Sequence, residues 1–551
     1  MSARKLITEY LDLWTGAVTK KSSSGRGSNG KVELTGVKKL RELILELAVR
    51  GQLLETQSVV SEEPSENYDV TRHNVGNEDY PFLKPRNWSF AKFIDVLDFQ
   101  GGGQPPKSMF SQEKRDGYVQ LLQIRDLGPN PQPVYVPEES VSKFCTEEDI
   151  LIGRYGASVG KVFWGKPGAY NVALIKLINR HGLYMPAFLY HLMTSPYGQS
   201  LFVGISRSAQ SGFSKKDVAN RVLPLPPLAE QYHIVQKVDE LMALCDRLEQ
   251  QTSDQLEAHE TLVDTLLGTL TQSENATELA DNWARLSAHF DTLFTTEQSI
   301  DKLKQTILQL AVMGRLVEQD AGDEPACELL NRIAEEKNRL VAARKLKRQK
   351  PLTEIGEEDK PFELPSGWHW ARFGDVCAIK GELVRPENFP DLRQVAPDCI
   401  EKGTGRITEN RTVKESGVKG PNSRFFAGQI IYSKIRPSLS KAALVDFDGL
   451  CSADMYPIDA FIDSRFLLME ILSEIFLQQV RVAENRIKMP KLNQESLRGF
   501  VSAIPPLAEQ HRIVQKVDEL MALCDQLKER LNQASETRNQ LAEAVVEGAL
   551  N

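Results

Sequence analysis

Pro227-Leu-Ala-Glu-Gln231-Tyr-His-Ile234-Val-Gln-Lys-Val238-Asp-Glu-Leu241-Met-Ala-Leu-Cys245-Asp-Arg-Leu248 decides how this chain is read, because the block returns almost letter for letter at Pro506 to Leu527. The offset is 279 residues, about half of the 551. A period that long is not a solenoid repeat; it marks a duplicated pair of domains. Each copy follows a Pro-Pro step and reads as the start of a long helix, since prolines are tolerated at a helix entrance. Ile513, Val517, Leu520, Cys524, Leu527 and Leu531 step by four and three, as in a coiled-coil seam. The first copy shows the same steps at Ile234, Val238, Leu241, Cys245 and Leu248, then continues more loosely through Leu256, Leu262, Leu266 and Leu270. A helix over 227–270 would be roughly 65 Å long.

A second helical unit is duplicated at an offset of 263: Leu-Ala-Val-x-Gly-x-Leu occurs at Leu47 to Leu53 and at Leu310 to Leu316. The chain thus runs helix, intervening segment, long helix, and repeats that order once. The C-terminal helix is expected on the N-terminal one, as the central pair pack on each other. The Gly/Ser tract Ser22–Gly30 isolates an N-terminal helical piece around Lys5 to Val18. Residues 56–79 read as a linker, and Glu336 to Lys350 as a charged helix before an acidic loop.

The segments between the helices carry short β-branched runs: 119–124, 150–152, 172–178 and 429–432. They are distant relatives at an offset of 280, with Trp88, Phe93, Asp95, Arg154, Ser158 and Lys161 matching Trp368, Phe373, Asp375, Lys434, Ser438 and Lys441. The expected fold is α+β: two mixed α/β domains separated by two long antiparallel helical pairs, with a pseudo-twofold internal repeat. The domain reading is an N-terminal extension and linker 1–35, a helix 36–60, a first mixed domain 80–226, a central helical spacer 227–345, a second mixed domain 361–503 and a C-terminal helix 504–551.

Net charge is −8, but its distribution is uneven. Residues 80–226 carry +6 and residues 361–502 carry +1, leaving −15 on the rest. The intervening domains are therefore the parts that suit a polyanion. No apolar run approaches the ~20 residues that span a bilayer. Met1-Ser2-Ala3-Arg4-Lys5-Leu6 lacks the apolar core of a secretory signal, and the seven cysteines form no Cys-x-x-Cys pair. A reduced, cytoplasmic setting without membrane, zinc or disulfides is expected.

An enzyme is disfavoured. Gly156-Ala-Ser-Val-Gly160-Lys161 resembles a phosphate loop but is one residue short, with Val162 where Ser or Thr belongs. No dinucleotide fingerprint, methyltransferase tetrapeptide, nuclease cluster or metal-like histidine spacing stands out. Binding is the better reading. A strand leads into the loop bearing Arg154, Tyr155, Ser158 and Lys161, and the second half offers Lys434, Arg436, Ser438 and Lys441. Glycine-loop amides with Ser and Lys can hold phosphates, and Arg is the commonest reader of guanine. Polar, basic stretches precede each long helix, with Arg207, Gln210, Lys215 and Lys216 in one and Arg486, Lys488 and Lys491 in the other. Arg125, directly after the run ending at Ile124, joins the candidates. Solvated hairpin loops would look alike in one copy; recurrence at matched sites favours a DNA-binding surface. The competing reading is a helical scaffold whose two basic domains bind proteins, which lacks salt-dependent binding to duplex.

The paired Pro-Leu-Ala-Glu-Gln-x-x-Ile-Val-Gln-Lys-Val-Asp-Glu-Leu blocks, the Leu-Ala-Val-x-Gly-x-Leu units and the Asp149–Lys161 loop together resemble the specificity subunit of type I restriction–modification enzymes. The resemblance spans essentially the whole chain. It implies two target recognition domains that each read one half of an asymmetric, bipartite DNA sequence, held apart by antiparallel helices. It also implies partners: double-stranded DNA, two methylation subunits using S-adenosylmethionine, and two restriction subunits using ATP and Mg. The chain itself would bind no cofactor and do no chemistry. Lys434-Ile435-Arg436-Pro437 departs from Arg154-Tyr155-Gly156-Ala157, which puts detailed transfer of a DNA contact to that loop in doubt.

Overall fold

The computed structural model describes residues 9–20, 32–54, 75–204, 213–273, 276–484 and 491–550. The chain divides into two compact units, residues 1–256 with 533–551, and residues 257–532. Both long helices form, as Leu228–Gln272 and Leu507–Leu550.

In the first unit the short helix Thr35–Val49 buries Leu40, Leu43, Ile44 and Leu47. Its core also takes in Ile234, Val238, Leu241 and Cys245 from one long helix and Ala542 from the other. Arg41 binds Asp246 (2.6 Å) and Glu249 (2.8 Å), while Arg50 donates to the Leu550 carbonyl (3.3 Å). The N-terminal helix Leu11–Gly16 buries Trp14 in the same core. In the second unit Glu297–Val312 plays the equivalent part among Val263, Leu267 and Leu270 and the Ile513–Leu531 seam. Lys304 pairs with Asp525, the counterpart of the Arg41–Asp246 pair. Each short helix therefore packs on both long ones, and the expected contact between the N-terminal and C-terminal helices forms alongside one to Ile234–Cys245.

The Leu-Ala-Val-x-Gly-x-Leu phrase is a helix stop. Gly51 and Gly314 have φ of +70° and +69°, and Gln52 and Arg315 donate back to Leu47 and Leu310 (both 2.9 Å), closing a six-residue cap. A Cβ on Gly51 would lie 2.6 Å from Pro85, and one on Gly314 2.5 Å from Pro365. Trp88 and Trp368 line the same two seats. Only glycine allows each helix end to settle on its neighbouring domain.

The repeated Gln is equally structural. Gln231 is fully buried: Nε2 donates to the carbonyls of Leu183 and Pro226 (both 2.9 Å) and Oε1 accepts from the Met185 amide (2.7 Å). Gln510 donates to the Pro505 carbonyl (2.9 Å) and accepts from the Asp463 amide (2.9 Å). Each glutamine ties a long-helix entrance to the turn before a helix of its own mixed domain, Pro186–Thr194 or Ser464–Leu472.

The mixed domains are built alike. A two-stranded base pairs Ser89–Lys92 with Val222–Leu225, and His369–Arg372 with Val501–Ile504. Above it lies an antiparallel four-stranded sheet. In the first domain its order is Leu97–Gly101, Leu174–Asn179, Ile150–Gly153, Val162–Trp164; in the second, Cys377–Ile379, Met455–Ala460, Ile430–Ser433, Ala442–Leu444. A further sheet differs, with four strands in the first domain and five in the second, but keeps one parallel pair in each: Tyr118–Leu122 with Gly168–Tyr170, and Arg393–Val395 with Gly449–Ser452.

Two expectations need correction. Leu270 is buried as expected, but Leu262 is exposed, and the helix buries Thr252, Val263 and Leu267 where Leu262 and Leu266 were expected. Beyond Leu248 the buried and half-buried positions recur at eleven residues (252 and 263, 256 and 267, 259 and 270), a 3.67-residue period that carries the stripe off the heptad series. The charged helix does not reach Lys350: Ala326–Ala342 ends where Arg344 turns to φ +57° and Lys345 donates to Leu340 (2.9 Å). Burial of Leu346 fixes that cap, an apolar contact that charge patterning hides. The Gly/Ser tract and most of the 56–79 linker lie outside the described residues.

Candidate DNA-reading end

One end of each four-stranded sheet gathers the loops singled out by sequence. In the first domain Arg154 follows its strand, donates its amide to the Ala173 carbonyl (2.9 Å) and accepts on its carbonyl from the Phe213 amide (3.3 Å). In the second, Lys434 donates to the Asp454 carbonyl (3.0 Å) and accepts from the Leu492 amide (2.9 Å). The glycine-rich loop and the polar stretch before the long helix, far apart in sequence, are thus joined by the same bond in both domains. A bridge between Ile435 and Lys491 extends that join in the second.

The Gly156–Ser158 turn is a short 3₁₀ segment closed by Ser158, whose hydroxyl donates to the Tyr155 carbonyl (2.6 Å). An edge strand, Val162–Trp164, follows it in place of a helix. The loop therefore has no helix N-terminus to hold a nucleotide phosphate, which removes the phosphate-loop resemblance. Arg154 lies over the Tyr155 ring (5.4 Å) and donates Nε to the Phe213 carbonyl (3.3 Å), which fixes its direction. Lys161 and Lys216 are exposed. Lys215 is engaged with Asp98 (2.7 Å). Burial opposes the Asp98 charge, but Lys215 and Arg180 hold that carboxyl down at about 2. Arg125 is half-exposed beside buried Asp126 (3.9 Å). The strand before Arg125 reaches this end through the Asn171 amide, which donates to Leu122 (3.1 Å).

In the second domain Arg436 is exposed with φ +44° at the loop tip. Lys434 donates to the Ala453 carbonyl (2.7 Å), Lys441 to Pro397 (2.5 Å), and the Ser438 amide to Glu484 (3.0 Å). Lys491 faces Asp454 (3.3 Å). Arg207, Gln210, Arg486 and Lys488 lie outside the described residues.

Sequence reasoning passed over the run Gly101-Gly102-Gly103, which ends the first strand at this same end. The Gly102 amide donates to Leu174 (3.2 Å), and a Cβ there would sit 2.1 Å from the Asn171 carbonyl, so a bare backbone is required. The usable signal was the triple glycine closing a β-rich run.

One group of potential metal ligands occurs among the described residues: Asp398, Cys399 and Glu409. Arg411 binds both carboxylates (3.1 and 3.3 Å), so their charge is already partly offset. No described helix is long and apolar enough to cross a membrane.

The profile of the type I restriction modification DNA specificity domain matches twice, at residues 85–258 and 365–536, and the chain belongs to that family. It is 34% identical over 608 residues to the type I restriction enzyme EcoEI specificity subunit of Escherichia coli, covering all of both chains. It is 34% identical over 600 residues to the EcoAI specificity subunit of Escherichia coli, again covering both in full. The solved HsdS subunit from Thermoanaerobacter tengcongensis aligns at 16% identity over 85% of this chain and 98% of that one, with a TM-score of 0.41.

Proposed function

We propose that this chain is the non-catalytic DNA-reading subunit of a type I restriction–modification complex, and that each mixed domain recognises one half of a bipartite duplex target. The reading is carried by one observation: the same hydrogen-bonded loop end recurs in both domains with unlike side chains on it, Arg154–Tyr155–Gly156 against Lys434–Ile435–Arg436. A common frame with different exposed groups suits two readers of different sequences. The unread bases between half-sites would be set by the helices, since half-sites one DNA turn apart lie about 34 Å from each other. Replacing residues 80–226 by the corresponding domain of a relative is expected to change one half-site and leave the other intact, as read by mapping methylated adenines in a host with the complete system. A change in both half-sites would defeat the modular reading.

The partners in this reading are two methylation subunits, which would supply S-adenosylmethionine chemistry, and two restriction subunits using ATP and Mg. The repeat supports the count of two. Core packing constrains only its buried positions, yet the exposed Gln236, Glu240, Ala243 and Leu244 are identical to exposed Gln515, Glu519, Ala522 and Leu523. These fall on one helical face, and two equal faces suit two copies of one partner. Leu244 and Leu523 are 40% and 60% exposed, so the fold does not hold them in place. Leu523→Asp is expected to reduce bound methylation subunits from two to one by native mass spectrometry, and the Leu244→Asp/Leu523→Asp pair to remove both. Two copies on the double variant would place the docking face elsewhere.

A further inference from the structure

The turn between strands Gly449–Ser452 and Met455–Ala460 delivers a carboxylate to the loop end of the second domain. The Lys434 amide bonds the Asp454 carbonyl there, as the Arg154 amide bonds Ala173 in the first domain. Asp454 thus stands where the first domain has alanine. Its amide donates to the Ser452 hydroxyl (3.2 Å), which sets the turn. Lys434 and Lys491 both approach Oδ1, at 3.7 and 3.3 Å. Among the described residues no hydrogen bond reaches Oδ2, and the side chain is 38% exposed.

An uncompensated carboxylate facing duplex would repel phosphate. Two lysines drawn to Oδ1 offset that charge, while Oδ2 accepts no hydrogen bond among the described residues. An ionised carboxylate only accepts, so its complement on a base edge is an amino group: N4 of cytosine or N6 of adenine in the major groove. We propose that Asp454 is a specificity-determining residue of the second domain, accepting through Oδ2 from the exocyclic amine of one base. Lys434 and Lys491 are its positioning residues. This rests on the loop end being the DNA-facing end, as argued above.

The experiment uses the full chain with its methylation subunit and a duplex pool randomised across both half-sites, sequenced after selection. Asp454→Ala is expected to relax one base pair of one half-site roughly ten-fold, the loss suited to one base-edge hydrogen bond. The other half-site stays unchanged. Duplexes carrying purine for adenine, or 2-pyrimidinone for cytosine, at that position identify the base; deleting the correct amine weakens the native protein and not the variant. In Asp454→Asn, which keeps the shape of the turn, Lys434 and Lys491 would hold the amide oxygen and turn the NH2 donor to the base, so the same preference is expected to be lost. Uniformly tighter binding by Asp454→Ala would make the carboxylate a mere clamp, and an unaltered selection profile would remove it from the site; either overturns the proposal. If the native complex selects no sequence, the DNA-facing reading itself fails, and this proposal with it.

Discussion

Gln231→Leu is expected to destabilise its unit by roughly 2–5 kcal/mol, seen as a lower midpoint in thermal or urea unfolding, while Gln236→Leu on the exposed face changes little. The side chain is fully buried and makes three hydrogen bonds to backbone groups of Leu183, Pro226 and Met185. Leucine fills similar space but leaves those buried groups without partners, and each such group costs about 1–3 kcal/mol. The loss should appear with no change in the exposed face of the repeat, which separates a structural role from a partner contact. An unfolding midpoint unmoved by Gln231→Leu would mean that water or a shifted turn replaces the amide.

Glu470→Leu should do the opposite, and increasingly so as pH rises. Glu470 lies in helix Ser464–Leu472 with its carboxyl buried; burial lifts it to about 8, against a small pull from the Ser502 hydroxyl, and Oε2 has no hydrogen-bond partner. The counterpart helix Pro186–Thr194 carries buried Leu192 at the matching place, between the same Phe-Leu pair and the same capping serine. A folded-state value raised above the ordinary 4.5 leaves the native carboxyl protonated while the unfolded one ionises. Stability contributed by the protonated group is therefore complete below about pH 4.5 and is lost as pH climbs towards 8. At roughly 1.4 kcal/mol per unit as an upper slope, the native protein should lose ~1–4 kcal/mol between pH 5 and 8 from this one group. Leucine should flatten that profile and raise the unfolding midpoint at pH 8. Parallel pH profiles for native and variant protein would show that the carboxyl reaches water and ionises freely.

Much of the fold was legible because duplication supplied an internal comparison. The strand runs at 150–152 and 172–178 reappear as Ile150–Gly153 and Leu174–Asn179, with counterparts 280 and 281 residues later. The long helices were readable from their apolar steps, since burial on one face repeats with the helical period. Where the period changes, that guide fails: four leucines drew the seam through Leu262, but the buried stripe follows Thr252 and Val263. Hydrophobicity alone cannot say which of two adjacent apolar residues faces inward. Arg154 and Lys434 were readable as matched cations, but not their bonds to Phe213 and Leu492, which depend on distant segments meeting. Asp454 was hidden for a related reason. A carboxylate among basic residues reads as background charge until its two lysines are seen on a single oxygen.

The glycine seats at Gly51 and Gly314 set a rule for exchanging cassettes between relatives. Each helix end rests on a proline and a tryptophan that belong to the neighbouring domain, Pro85 with Trp88 and Pro365 with Trp368. A donor segment that brings its own Pro-x-x-Trp should plug in without refitting the scaffold. One lacking either ring would leave a void beneath the glycine, so exchanged segments that share this connector are expected to fold best on the scaffold.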